Sequence, residues 1–357
     1  MRLDGVLFFP VTPFNADGDL AEPTLARHVA DGVAAGAGGV FAACGTGEFN
    51  ALDLDEYARV VGISVASTAD RTPTSTADRT PTSTAGRTPT STADRTPTST
   101  TDRTPTSTAD RTPTSTTDRT PTSTAGRVPV FAGAGGPLPA AKAIARTAAA
   151  QGADGLLLMP PYLVSGPPAG LVRYVREVAA SVDLPIIIYQ RGTTRFTPSA
   201  VAELAEVPNI VGFKDGLGDF DLLQRIILTV RRSTDKDFTF FNGLPTAELT
   251  VPAYRGLGVN LYSSAVFAFA PEISLAFYKA VTGGDEVLTQ RLLTDFYLPL
   301  VELRDLVPGY AVSLVKAGAR LRGMEVGGVR PPLLDPTPEH TASLERIISN
   351  GLAIADA

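Results

Sequence analysis

The sequence predicts an α/β fold: a (β/α)8 barrel of the TIM type, with a C-terminal helical extension and an octapeptide-repeat insert. Eight short apolar runs alternate along the 357-residue chain with segments of helical composition. These runs are apolar almost throughout, which is typical of parallel strands that are buried on both faces. Eight successive strand–helix units are the number that closes such a barrel, and one domain can be this long.

The predicted elements are delimited by residues that start or stop regular structure. Pro10 closes the first apolar run, glycines within residues 36–39 stop the first helix, and Thr197 can cap a helix that begins at Pro198. The predicted strands are residues 6–9, 40–43, 131–133, 156–159, 185–189, 210–213, 238–241 and 258–262. The predicted barrel helices are residues 22–35, 53–66, 139–151, 168–181, 219–231, 246–254 and 271–281, with one more that starts at 198.

Residues 67–122 interrupt this pattern. They form seven successive octapeptides, of which the first is Ser-Thr-Ala-Asp-Arg-Thr-Pro-Thr, and they contain no large apolar side chain. Fixing one residue costs about 1–2 kcal/mol of backbone entropy, and this stretch has too little apolar surface to offset that cost. We therefore expect residues 67–122 to be a disordered, low-complexity insert between the second helix and the third strand.

The unit that follows the insert indicates its origin. Residues 123–130 repeat the octapeptide but end in Val-Pro-Val and lead into the third strand. Deleting residues 67–122 would leave a helix end, a glycine stop and a strand, so we infer that a helix-to-strand junction was copied in tandem. A tolerated expansion in a loop is the simplest interpretation; a modified Ser/Thr-Pro tract and a spacer are the alternatives.

The domain organisation follows from these boundaries. We expect a catalytic barrel made of residues 1–66 and 123–283, and a C-terminal extension of residues 284–357. The extension should contain three helices, near residues 285–304, 310–323 and 337–350.

The composition excludes several classes of protein. The net charge is −6 and no basic cluster is present, which argues against a nucleic-acid partner. The single cysteine, Cys44, excludes a disulfide framework and a Cys-based zinc site, and His28 and His340 are too few for a histidine-rich metal centre. The N-terminal residues lack the apolar core of a signal peptide, and no uninterrupted apolar run reaches about 18 residues. We expect a cytoplasmic protein without a metal or a membrane partner.

Lys214 is the most informative single residue. It follows the apolar run 210–213, and burying an ammonium group in a strand is costly unless the group is paired or loses its proton. At the C-terminal end of a barrel strand this lysine would face the mouth of the barrel, where burial lowers its pKa and frees the amine as a nucleophile. The alternative is a surface lysine in the loop after an ordinary strand.

The ends of the other strands supply partners for this lysine, because the active sites of such barrels lie at that face. Tyr162 follows the fourth strand, and Gly45-Thr46-Gly47 could present N–H groups and a hydroxyl to a carboxylate. Taken alone, such a tyrosine is more often a packing residue and such a loop a tight turn. Together, an amine, a phenol and an anion-binding loop indicate imine chemistry on a 2-oxo acid. The other polar residues and glycines at the strand ends are Thr12, Glu48, Gln190, Arg191, Thr193, Asn242, Gly243, Ser263 and Ser264.

These motifs resemble a known family. Thr46-Gly47-Glu48 after the second strand, Tyr162 after the fourth and Lys214 after the sixth are similar to those of the class I pyruvate-aldolase superfamily of dihydrodipicolinate synthase and N-acetylneuraminate lyase. The resemblance covers nearly all of the chain outside residues 67–122. The family usually has Gly-Thr-Thr-Gly-Glu where this chain has Gly45-Thr46-Gly47-Glu48 after Cys44, so we expect altered contacts to the substrate's 1-carboxylate.

A second departure narrows the resemblance. The family's Tyr-Asn-Val-Pro after the fifth strand is replaced by Tyr-Gln-Arg-Gly-Thr in residues 189–193. Together with Phe-Lys-Asp-Gly in residues 213–216 and Tyr-Ser-Ser-Ala-Val-Phe in residues 262–267, this resembles the 5-dehydro-4-deoxyglucarate dehydratase subfamily. The resemblance implies loss of water and CO2 from a 2-oxo diacid to give 2,5-dioxopentanoate, with no cofactor beyond the covalent imine.

The resemblance also implies roles for individual residues. Lys214 would form the imine, Tyr162 would relay protons, and Arg191 would bind the second carboxylate unless it forms a salt bridge at the rim. The residues implied to bind the substrate are Gly45, Thr46, Gly47, Arg191, Thr193, Asn242, Gly243, Ser263 and Ser264. A homo-oligomer, either a dimer or a tetramer, is the expected assembly. The alternatives are another Schiff-base aldolase or lyase of a 2-oxo acid, and a non-catalytic 2-oxo-acid sensor.

Overall fold

The computed structural model describes residues 3–68, 127–159, 161, 164 and 166–357. In this part of the chain, eight parallel strands form a closed barrel in sequential order, so the predicted fold class is confirmed. The strands are β1 Leu7–Phe8, β2 Gly39–Ala42, β3 Val130–Ala134, β4 Gly155–Leu158, β5 Ile186–Gln190, β6 Ile210–Asp215, β7 Thr239–Asn242 and β8 Leu261–Ser264. Every predicted strand is present, with small differences at its ends.

The helices that follow the strands surround the barrel. They are α1 Glu22–Ala35, α2 Leu54–Thr68, α3 Leu138–Ala150, α4 Pro168–Ala179, α5 Pro198–Ala205, α6 Phe220–Ser233, α7 Val251–Gly256 and α8 Pro271–Gly283. The C-terminal extension adds α9 Glu286–Leu292, α10 Leu298–Asp305, α11 Tyr310–Leu321 and α12 Pro338–Ala355. The cap predicted at Thr197 is present, since its hydroxyl accepts the N–H of Ala200 at 3.2 Å. Among the helices described, none is both long and apolar enough to cross a membrane.

One helix of the extension differs from the prediction. Residues 285–304 were expected to form a single helix, but a π-helical turn, Leu293–Tyr297, separates α9 from α10. Pro299 has no N–H to donate to the carbonyl of Asp295, four residues earlier. That carbonyl instead accepts a hydrogen bond of 2.8 Å from the side chain of Asn350 on α12. The proline therefore accounts for the irregular turn, and α12 satisfies the carbonyl it leaves free.

Two apolar layers hold the barrel together. One fills its interior, where the Phe41 ring stacks on the rings of Phe9 and Phe131 with centroid distances of 4.6 and 5.1 Å. The other lies between the strands and the surrounding helices. The interior layer consists of Leu3, Leu7, Phe9, Phe41, Cys44, Phe131, Leu157, Met159, Ile187, Tyr189 and Phe241.

An irregularity in β6 sets the direction of Lys214. The pairing register with β5 shifts by one residue, so that Ile186 pairs with Ile210 but Ile187 pairs with Gly212. Val211 packs against the interior layer, and Lys214, three residues later, also faces the interior. Successive strand residues point to opposite faces, so this odd spacing requires the one extra residue that a β-bulge inserts.

The two chain ends that flank the undescribed stretch lie side by side. Ser67 and Thr68, expected to begin the insert, are the last two residues of α2. Arg127 donates to the Thr68 hydroxyl at 3.4 Å and to the carboxylate of Asp154 at 2.6 Å. The rest of the predicted insert, residues 69–122, lies outside the described residues.

Candidate active site

A cavity of about 510 Å³ opens at the C-terminal ends of the strands. It brings together residues from β6, the loops after β2, β5, β7 and β8, and the C-terminal extension. Six residues predicted for the site line it: Gly45, Thr46, Arg191, Lys214, Gly243 and Ser263. The strand ends therefore assemble most of the predicted constellation at one place.

Lys214 is buried in an aromatic setting at the floor of this cavity. Its side chain is 4% exposed, and its Nζ lies 4.3 Å from the ring centre of Phe9 and 4.6 Å from that of Tyr189. Burial disfavours the charged form and lowers the pKa of Lys214 to about 7. A large fraction of the amine is therefore neutral, and hence nucleophilic, near neutral pH.

Two neighbours act on the same pKa in opposite directions. A Cys44 thiolate would raise the pKa of Lys214, whereas the guanidinium of Arg191 lowers it. However, burial raises the pKa of the Cys44 thiol to about 12, so this thiol is uncharged at neutral pH. Cys44 therefore cannot hold the lysine in its charged form, and burial remains the main cause of the shift.

Gly243 provides the space that the lysine side chain occupies. A Cβ atom at this position would lie 2.4 Å from Lys214 Cε and 2.5 Å from its Cγ. The Gly243 carbonyl also accepts a hydrogen bond of 2.7 Å from the Tyr189 hydroxyl. A glycine here is thus required by the close approach of the lysine rather than by a special backbone angle.

The turn after β2 leaves two backbone N–H groups available at the cavity. Its carbonyls face the scaffold: Gly45 accepts from Glu48 N at 3.2 Å, and Gly47 accepts from the Thr12 hydroxyl at 2.6 Å. Within the described residues, no acceptor is present for the N–H groups of Gly45 and Thr46 or for the Thr46 hydroxyl. These groups can receive an anion such as a carboxylate.

A buried network fixes the end of β6 next to Lys214. The Asp215 carboxylate accepts hydrogen bonds from Gln190 at 2.7 Å and from the Tyr254 hydroxyl at 2.5 Å. It also accepts the backbone N–H groups of Leu217 and Gly218, each at 3.2 Å. Gln190 is thus used in positioning the strand, and does not line the cavity.

Four predicted substrate-binding residues do not line the cavity. The amide of Asn242 is buried and donates to the carbonyl of Ala247 and the hydroxyl of Thr250, at 3.0 and 2.8 Å. Ser264 donates to Glu248 at 2.5 Å. Gly47, within the same turn, is buried and does not line the cavity, and Thr193 is exposed to solvent. Asn242 and Ser264 therefore support the frame of the site and lie away from the space that a substrate would occupy.

Tyr162, the predicted proton relay, lies outside the described residues. The structure therefore leaves its role a prediction. Across the described ranges, no three side chains of the His, Cys, Asp and Glu types are grouped so that they could hold a metal ion.

The C-terminal extension contributes to the cavity, which the sequence motifs do not predict. Residues 309, 311, 312 and 330–333 form one wall of it. Glu48, at the end of the turn after β2, forms an ion pair of 2.6 Å with Lys316 on α11. No local pattern signals these contacts, because they join segments that are far apart in the chain.

Comparison with known proteins agrees with the family resemblance of the sequence motifs. The model of the dihydrodipicolinate synthetase family matches residues 2–77 and 111–351. A protein of Streptomyces avermitilis named probable 5-dehydro-4-deoxyglucarate dehydratase 1 is 48% identical over 350 residues, which cover 98% of this chain and 94% of that protein. The 5-dehydro-4-deoxyglucarate dehydratase of Pseudomonas putida is 34% identical, with 97% and 94% of the two chains covered.

Solved structures share the fold. Dihydrodipicolinate synthase from Bacillus clausii superimposes with a TM-score of 0.74 at 19% identity, covering 97% of each chain. YagE, an E. coli prophage protein of the dihydrodipicolinic acid synthase family solved in complex with pyruvate, gives a TM-score of 0.72 at 25% identity and covers 97% of this chain and 98% of its own. The resemblance inferred from the sequence motifs is confirmed: this chain belongs to the dihydrodipicolinate synthetase family.

Proposed function

We propose that this chain is a 5-dehydro-4-deoxyglucarate dehydratase that works through an imine on Lys214. One observation carries the proposal: a buried lysine with a pKa of about 7 lines the same cavity as the N–H groups of Gly45 and Thr46, for which the described part of the chain supplies no acceptor. This arrangement suits a ketone that stands next to a carboxylate. The names of relatives at 34–48% identity support the choice of substrate.

The first step joins the lysine to the substrate. The neutral amine of Lys214 attacks the ketone carbon beside the carboxylate, and water leaves to give the imine. The N–H groups of Gly45 and Thr46, with the Thr46 hydroxyl, hold that carboxylate. The aromatic rings around Lys214 keep the amine desolvated before the attack.

The second step removes the hydroxyl group on the β-carbon. The imine makes the neighbouring CH2 group acidic, and loss of one proton gives an enamine. The enamine electrons then expel the β-hydroxyl, which leaves as water after it takes up a proton. We assign these two proton transfers to Tyr162 because of the family resemblance.

The third step releases CO2 from the far end of the substrate. The bond to the distal carboxylate breaks, and its electron pair passes through the conjugated system to the imine nitrogen. Protonation and hydrolysis then give 2,5-dioxopentanoate and free Lys214. The substrate loses one water and one CO2 in total, and the imine is the electron sink, so the proposed reaction needs no metal or added cofactor.

Arg191 is the proposed anchor for the distal carboxylate. It lines the cavity, and none of the described residues forms a salt bridge or a hydrogen bond with its guanidinium. The alternative role, a salt bridge at the rim, is therefore absent within the described part of the chain. A planar guanidinium can bind a carboxylate through two parallel hydrogen bonds. Ser263 and Gly243 lie in the same lining and are the proposed contacts to the substrate hydroxyls.

Product analysis tests the proposed function. Purified protein is incubated with 5-dehydro-4-deoxyglucarate, and the products are identified by mass spectrometry and by a CO2 assay. We expect CO2 and 2,5-dioxopentanoate in equal amounts. Pyruvate would instead identify an aldolase or lyase, and binding without turnover of this or other 2-oxo acids would favour a sensor.

A further inference from the structure

A buried ion pair fastens the substrate-facing turn to the C-terminal extension. Glu48 Oε1 lies 2.6 Å from Lys316 Nζ, and the two side chains are 1% and 0% exposed. Lys316 also donates to the carbonyl of Gly328 at 2.7 Å, and its ammonium lies 4.1 Å from the ring centre of Phe14. The other carboxylate oxygen of Glu48 accepts the backbone N–H of Arg330 at 2.8 Å. Glu48 lines the cavity, but both of its carboxylate oxygens and the Lys316 ammonium are hydrogen-bonded within the protein, so neither charged group is free to react with a substrate.

The backbone of Glu48 depends on this support. It adopts the left-handed conformation, with φ 55° and ψ 40°, which is unfavourable for a residue that carries a Cβ. Glu48 N also closes the turn through its hydrogen bond of 3.2 Å to the Gly45 carbonyl. Releasing the Glu48 side chain would therefore let the turn relax, and the N–H groups of Gly45 and Thr46 would move with it.

The extension is itself held rigidly on the other side of the pair. The Arg330 guanidinium forms two hydrogen bonds with the Glu56 carboxylate, at 2.7 and 2.6 Å, and a third with the carbonyl of Ala51 at 2.7 Å. Residues 330–333 line the cavity directly after this anchor. The extension is thus attached firmly enough to hold the turn of residues 45–48 in place.

We propose that Glu48 and Lys316 are positioning residues that set the affinity of the site for the carboxylate beside the substrate's ketone. They act by holding the turn of residues 45–48, without touching the substrate. A buried ion pair adds little net stability over a neutral pair of similar volume, so its contribution here is geometric. The proposal rests on the proposed function, because it assumes that the turn binds that carboxylate.

The double variant Glu48→Gln with Lys316→Met tests the proposal. It removes one negative and one positive charge, so the net charge beside the cavity is unchanged. The probes are pyruvate, which carries a carboxylate next to its ketone, and acetone, which carries none. Each is trapped on Lys214 with borohydride at increasing concentration, and the adduct is quantified by mass spectrometry.

We expect the pyruvate concentration for half-maximal trapping to rise about tenfold in the double variant, while the acetone trapping rate stays within twofold of wild type. An unchanged pyruvate value would overturn the proposal. An equal loss of trapping with pyruvate and with acetone would also overturn the proposal, because a general structural defect would affect both probes alike. If wild type itself forms no pyruvate adduct, the proposed function fails, rather than this inference alone.

A second variant tests the proposal if the double variant does not fold. Glu48→Asp keeps the charge but shortens the side chain by one methylene, so it cannot reach both Lys316 and the N–H of Arg330 from the same backbone position. We expect at least a threefold rise in the pyruvate value, again without a change for acetone. A pyruvate value equal to that of wild type would overturn the proposal on its own.

Discussion

The hydroxyl of Tyr189, on β5, donates a hydrogen bond of 2.7 Å to the carbonyl of Gly243, which follows β7. This bond reaches over the end of β6, the strand that carries Lys214. The lysine side chain is thus enclosed between the Tyr189 ring and the Gly243 backbone, with its amine at the cavity floor. The position of the amine depends on the absence of a side chain at residue 243.

Substitution Gly243→Ala should therefore disable the site while keeping the barrel. The added Cβ would lie 2.4 Å from Lys214 Cε, so the lysine must move by about an ångström or more. A displacement of that size can cost on the order of 100-fold in rate, and we expect a loss of this order in kcat/KM. Gly256→Ala is the matched control, since nothing lies within 4 Å of its added Cβ. Activity near wild type in Gly243→Ala would contradict the described packing.

Arg191→Met should separate binding of the distal carboxylate from imine formation. A hydrogen bond between charged groups contributes about 1.5–3 kcal/mol, so KM for the diacid should rise roughly 10- to 100-fold. The pKa of Lys214 should also increase, because the Arg191 guanidinium lowers it. Steady-state kinetics with the diacid and borohydride trapping with pyruvate measure the two effects. Arg195→Met, which removes an exposed arginine on the same loop, is the control, and an unchanged KM in Arg191→Met would exclude the anchor.

Glu248→Gln should stabilise the protein at alkaline pH. Burial raises the pKa of the Glu248 carboxyl from 4.5 to about 7. A group whose pKa is raised on folding favours the folded state below its unfolded pKa, and this contribution is lost as pH rises through the folded value. The gain from the neutral amide should thus be small near pH 5 and reach about 3 kcal/mol at most near pH 8.

Urea unfolding at pH 5 and pH 8 measures this difference for Glu248→Gln. Glu345→Gln, which replaces an exposed carboxylate on α12, serves as the control. A gain that is equal at both pH values would show that the carboxyl of Glu248 does not titrate with a raised pKa.

Excision of residues 67–122 should leave catalysis intact. Ser123 and Thr124 would then replace Ser67 and Thr68, the identical residues that end α2. Arg127 already contacts Thr68 at 3.4 Å, so the shortened junction has little distance to span. This junction precedes β3 and lies at the face of the barrel opposite the active site. We expect kcat/KM within about twofold of the full chain, and a large loss without a change in the unfolding midpoint would contradict this placement.

The alternation of side chains explains which predicted residues reach the cavity. Ser263 lines it and Ser264 does not, while Phe241 fills the barrel interior and Asn242 lies on the other face. Adjacent strand residues point in opposite directions, so the sequence could have separated both pairs. The order of eight apolar runs was sufficient to place Lys214 correctly, because parallel strands end at one face.

Other features could not be predicted from local patterns. Glu48 and Lys316 are 268 residues apart in the sequence, and no periodicity relates them. The bulge at Val211 turns Lys214 inward, and Gly212 is only a weak sequence signal for it. These contacts arise from the closure of the barrel and the return of the extension over its mouth, which depend on the whole chain.

Borohydride trapping with 5-dehydro-4-deoxyglucarate tests the central claim, that Lys214 forms the imine. The chain has five lysines, so peptide mapping by mass spectrometry identifies the modified one without ambiguity. We predict a single reduced adduct on Lys214, formed at a rate that rises with pH through about 7, the lowered pKa of its amine. An adduct on another lysine, or none on Lys214 while the substrate is turned over, would contradict the account.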